Sequence, residues 1–150
     1  MKKILSTLAF VCLLSGVYAQ QHTEIEMIRS AYKLEKKGIV SEFMALSNDD
    51  AAKFWPIYEK YEQERSAIGD RRVKLITDYV NDRHKSGIKN ADAMVKESAD
   101  IQRKEVDLRE KYYKQVKTAV SLNAALDFFQ IEDAIATTVK MKLWEEMPLH

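Results

Sequence analysis

Histidines, methionines and carboxylate runs are the first places to look for chemistry in this 150-residue chain. His22, His84 and His150 could ligate a metal, but none has a second histidine or carboxylate at ligand spacing on one helix face. Met27, Met44, Met94, Met141 and Met147 could serve a soft ion such as Cu(I). They are dispersed, mostly at apolar helical positions, which favours packing over ligation. The terminal "MPLH" places Met147 near His150, too little for a site. The runs "EKYEQE" and "KEVDLRE" read as solvated helix faces with i,i+4 partners. The glycines are scattered singly, so no phosphate-cradling loop is present. No nucleophile constellation emerges, and the expectation is a protein that is not an enzyme, with no metal and no cofactor.

Two other groups of residues carry more information. Arg72 and Glu105 are charged residues at apolar seam positions, and Glu132 is wedged among Phe128, Phe129, Ile135 and Ala136. A buried charge is costly unless paired, so Arg72 with Glu105 and Arg65 with Glu132 are expected as structural ion pairs that fix helix register. The second group is aromatic: Phe54, Trp55, Tyr58 and Tyr61 gather around Pro56, with Tyr113 further along. These rings either fill the end of a core or form a partly exposed surface that binds polypeptide.

What must position these groups is a set of helices behind an exported leader. "MKK" is positive, "ILSTLAFVCLLSG" apolar, and "VYA" small-ended before Gln20, the three-part form of a secretory signal peptide. Cleavage between Ala19 and Gln20 is expected, giving a leader over 1–19 and a single helical domain over 20–150. The apolar run is shorter than a membrane span, so no stable membrane insertion is expected. Bulky Val11 before Cys12 argues against lipid attachment. Losing Lys2 and Lys3 from the 24 basic residues leaves 22 against 23 acidic ones, a balance that offers nucleic acid no general attraction. The one cysteine goes with the leader, so the remaining chain must hold together by packing alone.

Helix formers dominate and no hairpin signals appear, so the fold class is all-α. Four helices are expected. The first has Ile25, Ile28, Tyr32 and Ile39 near one face, weakened by Gly38. Ser47 is placed to cap the second, with Asp50 suiting its positive end. That helix carries a heptad seam of Phe54, Tyr58, Tyr61, Arg65, Ile68, Arg72, Leu75 and Tyr79, widened by Ile57, Val73, Ile76 and Val80. Gly87 and Asn90 are plausible C- and N-caps at the following turn. The third helix presents Met94, Ser98, Ile101, Glu105, Leu108, Tyr112 and Ala119, with Val106, Tyr113, Val116 and Val120 alongside. The short turn makes the second and third helices an antiparallel hairpin, pairing Leu75 with Ile101, Ile68 with Leu108 and Arg72 with Glu105. After "VSLNA", capped at Ser121 or Asn123, a last helix turns Leu126, Phe129, Ile135, Ala136, Val139 and Leu143 inward, and Pro148 closes it.

Pro56, two turns inside the second helix, deletes one backbone hydrogen bond. A kink or restart near Lys53 to Trp55 is expected there.

The stretches "LSNDDAAKFWPIYEKYEQE", "DRRVKLITDY", "LREKYYKQV" and "FFQIEDAI" together resemble small envelope proteins of the Spy/CpxP-like group, named for an L-T-x-x-Q motif. Within it the chain is most similar to the branch with F-W-P-x-Y in the second helix. Leu46, Ser47 and Asp50 stand where the motif has Leu, Thr and Gln. The second copy, expected before the last helix, is reduced to "VSLNA".

The resemblance implies a periplasmic helical protein, often a homodimer shaped as a curved cradle. It implies the holding of unfolded or envelope proteins without ATP, in a chaperone-like or envelope-stress role. A periplasmic signalling or metal-sensing accessory module that binds one specific partner is the alternative.

Overall fold

The computed structural model describes the backbone of residues 35–85 and 90–146, and the side chains of residues 35–82 and 90–142. The leader and its cleavage point, Ile25, Ile28, Tyr32, Gly87, the Leu143 side chain and the terminal "MPLH" lie outside the described residues. Those residues form helices α1 (35–44), α2 (Asn48–Lys85), α3 (Ala91–Ala119) and α4 (Leu122–Glu146), with no strand among them. The all-α reading therefore stands. By compactness the chain divides into two units, Met1–Glu42 and Phe43–His150.

Along α1, Lys36, Val40 and Met44 are buried at a spacing of four, whereas Ile39 is 46% exposed. Of the expected strip, only Ile39 falls among the described residues, and Val40 beside it is buried in its place. Ala45 follows with φ 42°, a left-handed conformation that glycine usually takes at this place beyond a helix end. Ser47 then starts α2. Its Oγ accepts the Asp50 N–H at 3.2 Å and donates to Asp50 Oδ2 at 3.1 Å, while its carbonyl accepts the Ala51 N–H. The hydroxyl thereby satisfies one of the donors that every helix start leaves open.

α2 runs for 38 residues without interruption through Pro56, so the restart expected near Lys53 to Trp55 does not occur. Pro56 itself is exposed, where its ring displaces no core residue.

α2 and α3 run antiparallel: Glu64 meets Lys111 and Tyr112, Arg72 meets Glu105, and Arg71 meets Glu97 and Asp100. α3 starts at Asn90, whose carbonyl accepts the Met94 N–H but whose side chain makes no cap bond. α4 is capped by Ser121, whose Oγ accepts the Ala124 N–H at 3.1 Å. Within the second unit α3 is the central element, its backbone approaching both α2 and α4. α2 and α4 meet through long side chains, among them the 6.3 Å contact of the Phe54 and Phe128 rings.

The buried face of α4 differs from the expected one. Ala124, Ala125, Phe128, Ile131 and Glu132 are buried, while Leu126 is 52% and Val139 36% exposed. Apolar residues occupy nearly the whole circumference of the first turns of α4, so periodicity cannot select a face there. The small side chains of Ala124 and Ala125 favour the strip on which the helix can come close. Ala119 and Val106 on α3, and Val73 on α2, are likewise exposed rather than packed.

The core is one-ended. Phe54, Tyr58, Tyr61, Ile101, Leu108, Tyr112, Val116 and Phe128 form it. No residue of α2 between 62 and 82, and none of α3 between 91 and 100, is fully buried. Two helices alone cannot cover each other's apolar stripes, and this half of the hairpin keeps its seam only half covered.

Candidate functional site

The aromatic group and Glu132 come together as a single cluster. Phe54 is fully buried, and Tyr58 and Tyr61 are each 3% exposed, so these three rings fill the core rather than offer a surface to a polypeptide. Trp55 and Tyr113 are half-buried. Phe54 stacks on Tyr58 at 5.4 Å, and Phe128 meets Tyr58 and Tyr61 edge-on at 6.4 and 5.1 Å. Tyr61 continues the chain of rings to Tyr112 on α3 at 5.4 Å. Such offset and edge contacts add about 0.5–1.5 kcal/mol per pair to the burial itself.

Glu132 reaches this cluster from α4. The Tyr58 hydroxyl donates to its Oε1 at 2.9 Å, and the Tyr61 hydroxyl to its Oε2 at 2.8 Å. Tyr58 and Tyr61 sit three apart on α2 and so share the face that the carboxylate approaches. Burial, reinforced by the charge of Glu132, pushes both phenols well above their ordinary value of 10.0. The arrangement holds two neutral donors on one buried acceptor and joins α2 to α4 at the closed end of the core.

The expected partner of Glu132 was Arg65. Its guanidinium instead forks onto Glu62, with Nε to Oε1 at 2.8 Å and Nη2 to Oε2 at 3.2 Å. A neighbour three residues along the same helix is nearer than one on another helix. Burial opposes the Arg65 charge, but the Glu62 bonds, with the Glu132 charge adding to them, outweigh it and the group is held above its usual range. The expected pair of Arg72 and Glu105 does form, at 2.7 Å with both side chains about one-fifth exposed. Arg72 Nη2 and Glu105 Oε2 lack hydrogen-bond alignment at that distance, so this contact acts through charge more than direction. Lys140 Nζ approaches the same carboxylate at 3.9 Å.

Five further contacts have no signal in the spacing of the chain. Arg109, 7% exposed, lies 5.8 Å from the Phe129 ring centre, with Nη2 on Asp133 at 3.2 Å. Phe129 in turn meets Tyr113 edge-on at 6.2 Å. Glu64 accepts from Lys111 at 2.7 Å and from the Tyr112 hydroxyl at 2.8 Å, which holds its carboxyl below the usual range. Burial and then that bond push the Tyr112 phenol up to about 12. The signal that could have found the tyrosine clasp was the i,i+3 spacing of Tyr58 and Tyr61. Arg109 gave none beyond its place between Val106 and Tyr113.

Away from the core, α2 and α3 enclose a groove of about 500 Å³ lined by Arg71, Lys74, Leu75, Asp78, Met94 and Glu97, with Asn81, Asp82, Asn90 and Ala93 toward the connection between the two helices. Among the described residues, no group of three or more His, Cys, Asp or Glu side chains is placed to hold a metal ion. No described helix is long and apolar enough to cross a membrane. No family model, curated protein or solved structure matches the chain.

Proposed function

We propose that this chain is an exported, non-enzymatic binding protein that holds unfolded or partner polypeptides in the periplasm without ATP. The carrying observation is the uneven burial of the α2–α3 hairpin. Ile68, Leu75, Ile76, Tyr79, Val80 and Met94 are only half-buried, and Val73 and Val95 are 56% and 69% exposed. Apolar side chains alternate there with the charged groups of Arg71, Lys74, Asp78 and Glu97. Mixed surfaces of this kind suit recognition of many sequences, because apolar contacts supply affinity and the charges keep the unoccupied face solvated. The leader-like N-terminus and the resemblance to the Spy/CpxP-like group support the same reading.

The binding face moves with this proposal, away from Phe54, Tyr58 and Tyr61 and onto the hairpin's open half. The test is whether the protein lacking residues 1–19 suppresses light scattering of denatured clients at near-stoichiometric ratio. Suppression weakened by Val73→Ser and Val95→Ser, with the helical signal retained, is the expected result. Failure with several unrelated clients overturns the proposal, and capture of one stoichiometric envelope protein instead favours a signalling module.

A further inference from the structure

The groove between α2 and α3 has a chemical bias that narrows what it can hold. Its floor contains Leu75 and Met94, both half-buried, and its volume of about 500 Å³ falls within the range of clefts that enclose a ligand. The cations on its wall are already engaged. Arg71 forks onto Glu97, with both bonds at 2.9 Å, and reaches Asp100 at 2.7 Å. Lys74 Nζ contacts Asp78 at 2.6 Å. Among the described residues of the lining, three carboxylates, Asp78, Asp82 and Glu97, stand against two cations, Arg71 and Lys74. Asp100 adds another negative charge beside Arg71. An anionic guest would have to displace existing pairs, whereas a cationic one meets unused carboxylate lone pairs.

We infer that this groove takes polypeptide segments in which apolar side chains alternate with lysine or arginine, the apolar group on Leu75 and Met94 and the cation on Asp78 and Asp82. The Asn81 and Asn90 amides, both toward the connection between α2 and α3, offer donors and acceptors to a guest backbone. The inference rests on the polypeptide-holding reading and names the segments preferred. A small polyamine satisfies the rim but leaves the apolar floor wet. A purely apolar segment satisfies the floor but leaves the carboxylates facing it.

The test measures fluorescence anisotropy of labelled ten-residue peptides titrated with the full chain lacking residues 1–19, at low and high salt. Three peptides are compared: alternating leucine and lysine, alternating leucine and glutamate, and alternating serine and lysine. The leucine–lysine peptide should bind at least about tenfold more tightly than either control. Exposed charge pairs are worth up to about fivefold each, so Asp78→Asn and Asp82→Asn should each weaken it by about two- to fivefold. Raising the salt should weaken it further. Circular dichroism melting checks that both variants stay folded.

Equal binding of the leucine–glutamate peptide, or unchanged affinity in both variants, overturns the groove assignment. Equal binding of the serine–lysine peptide reduces it to bare ion attraction and also overturns it. If the chain suppresses client aggregation while the variants bind as before, the groove fails and the holding reading stands. If peptide binding follows the rim charges but no client is held, the holding reading fails instead.

Discussion

Glu132→Leu isolates the clasp between α4 and α2. In the folded chain its carboxylate accepts the Tyr58 and Tyr61 hydroxyls at 2.9 and 2.8 Å in a site where all three side chains are at most 3% exposed. Leucine removes the acceptor that both hydroxyls share. Each buried unsatisfied donor costs about 1–3 kcal/mol, so the variant should lose about 2–6 kcal/mol. Tyr58→Phe with Tyr61→Phe removes the donors and leaves the charge with two fewer bonds, at about 1.5–3 kcal/mol each, for a loss of about 3–6 kcal/mol. The triple variant removes the two donors together with the acceptor they share, and apolar groups of similar shape fill the place. It should return to within about 2 kcal/mol of the parent. Urea unfolding followed by circular dichroism measures this. At about 2 kcal/mol per molar, the Glu132→Leu loss moves the midpoint down by about 1–3 M and the triple variant restores most of it. A triple variant that loses the sum of the two separate effects refutes the clasp as a coupled unit.

Four further outcomes are expected. Because both phenols are raised above 10.0 in the folded chain, the folded form keeps protons that the unfolded form releases as pH climbs past about 10. Stability is therefore full below that point and falls above it by about 1.4 kcal/mol per pH unit for each tyrosine. Melting temperature against pH should flatten in the double phenylalanine variant. Arg72→Met or Glu105→Leu alone should cost about 1–3 kcal/mol, less than for a fully buried pair because one-fifth of each side chain meets water. The two together should recover most of that in urea titrations. Ser47→Ala should cost about 0.5–2 kcal/mol by loss of the bond to the Asp50 N–H, read as a lower melting temperature. Ala45→Gly should raise it, since a left-handed alanine carries about 1–2 kcal/mol of strain that glycine does not.

The all-α class, the Ser47 cap, the antiparallel hairpin and the Arg72–Glu105 pair were legible because each follows from local spacing. A cap needs one hydroxyl three residues before its amide, and a hairpin register needs one short turn. The face of α4 was not legible, because Leu126 and Phe129 are as apolar as Ala125 and Phe128, and only neighbouring helices choose between them. The direct contacts of Glu132 were legible only in part: its charge does act on Arg65, but the bonds it accepts come from two phenols, which a search for opposite charge does not find. The aromatic group near Pro56 was correctly singled out, but its two readings predict the same spacing, so only burial separates core from surface.

The clasp also has a kinetic consequence. Most packing in the second unit joins elements that follow one another, α2 with α3 and α3 with α4, and such near-neighbour contacts form early and fast. The bonds from Tyr58 and Tyr61 to Glu132 close loops of 74 and 71 residues, so they lock after the helices have docked. A latch made late governs escape more than arrival. Weakening it should shorten the lifetime of the native chain while leaving its rate of acquisition nearly untouched.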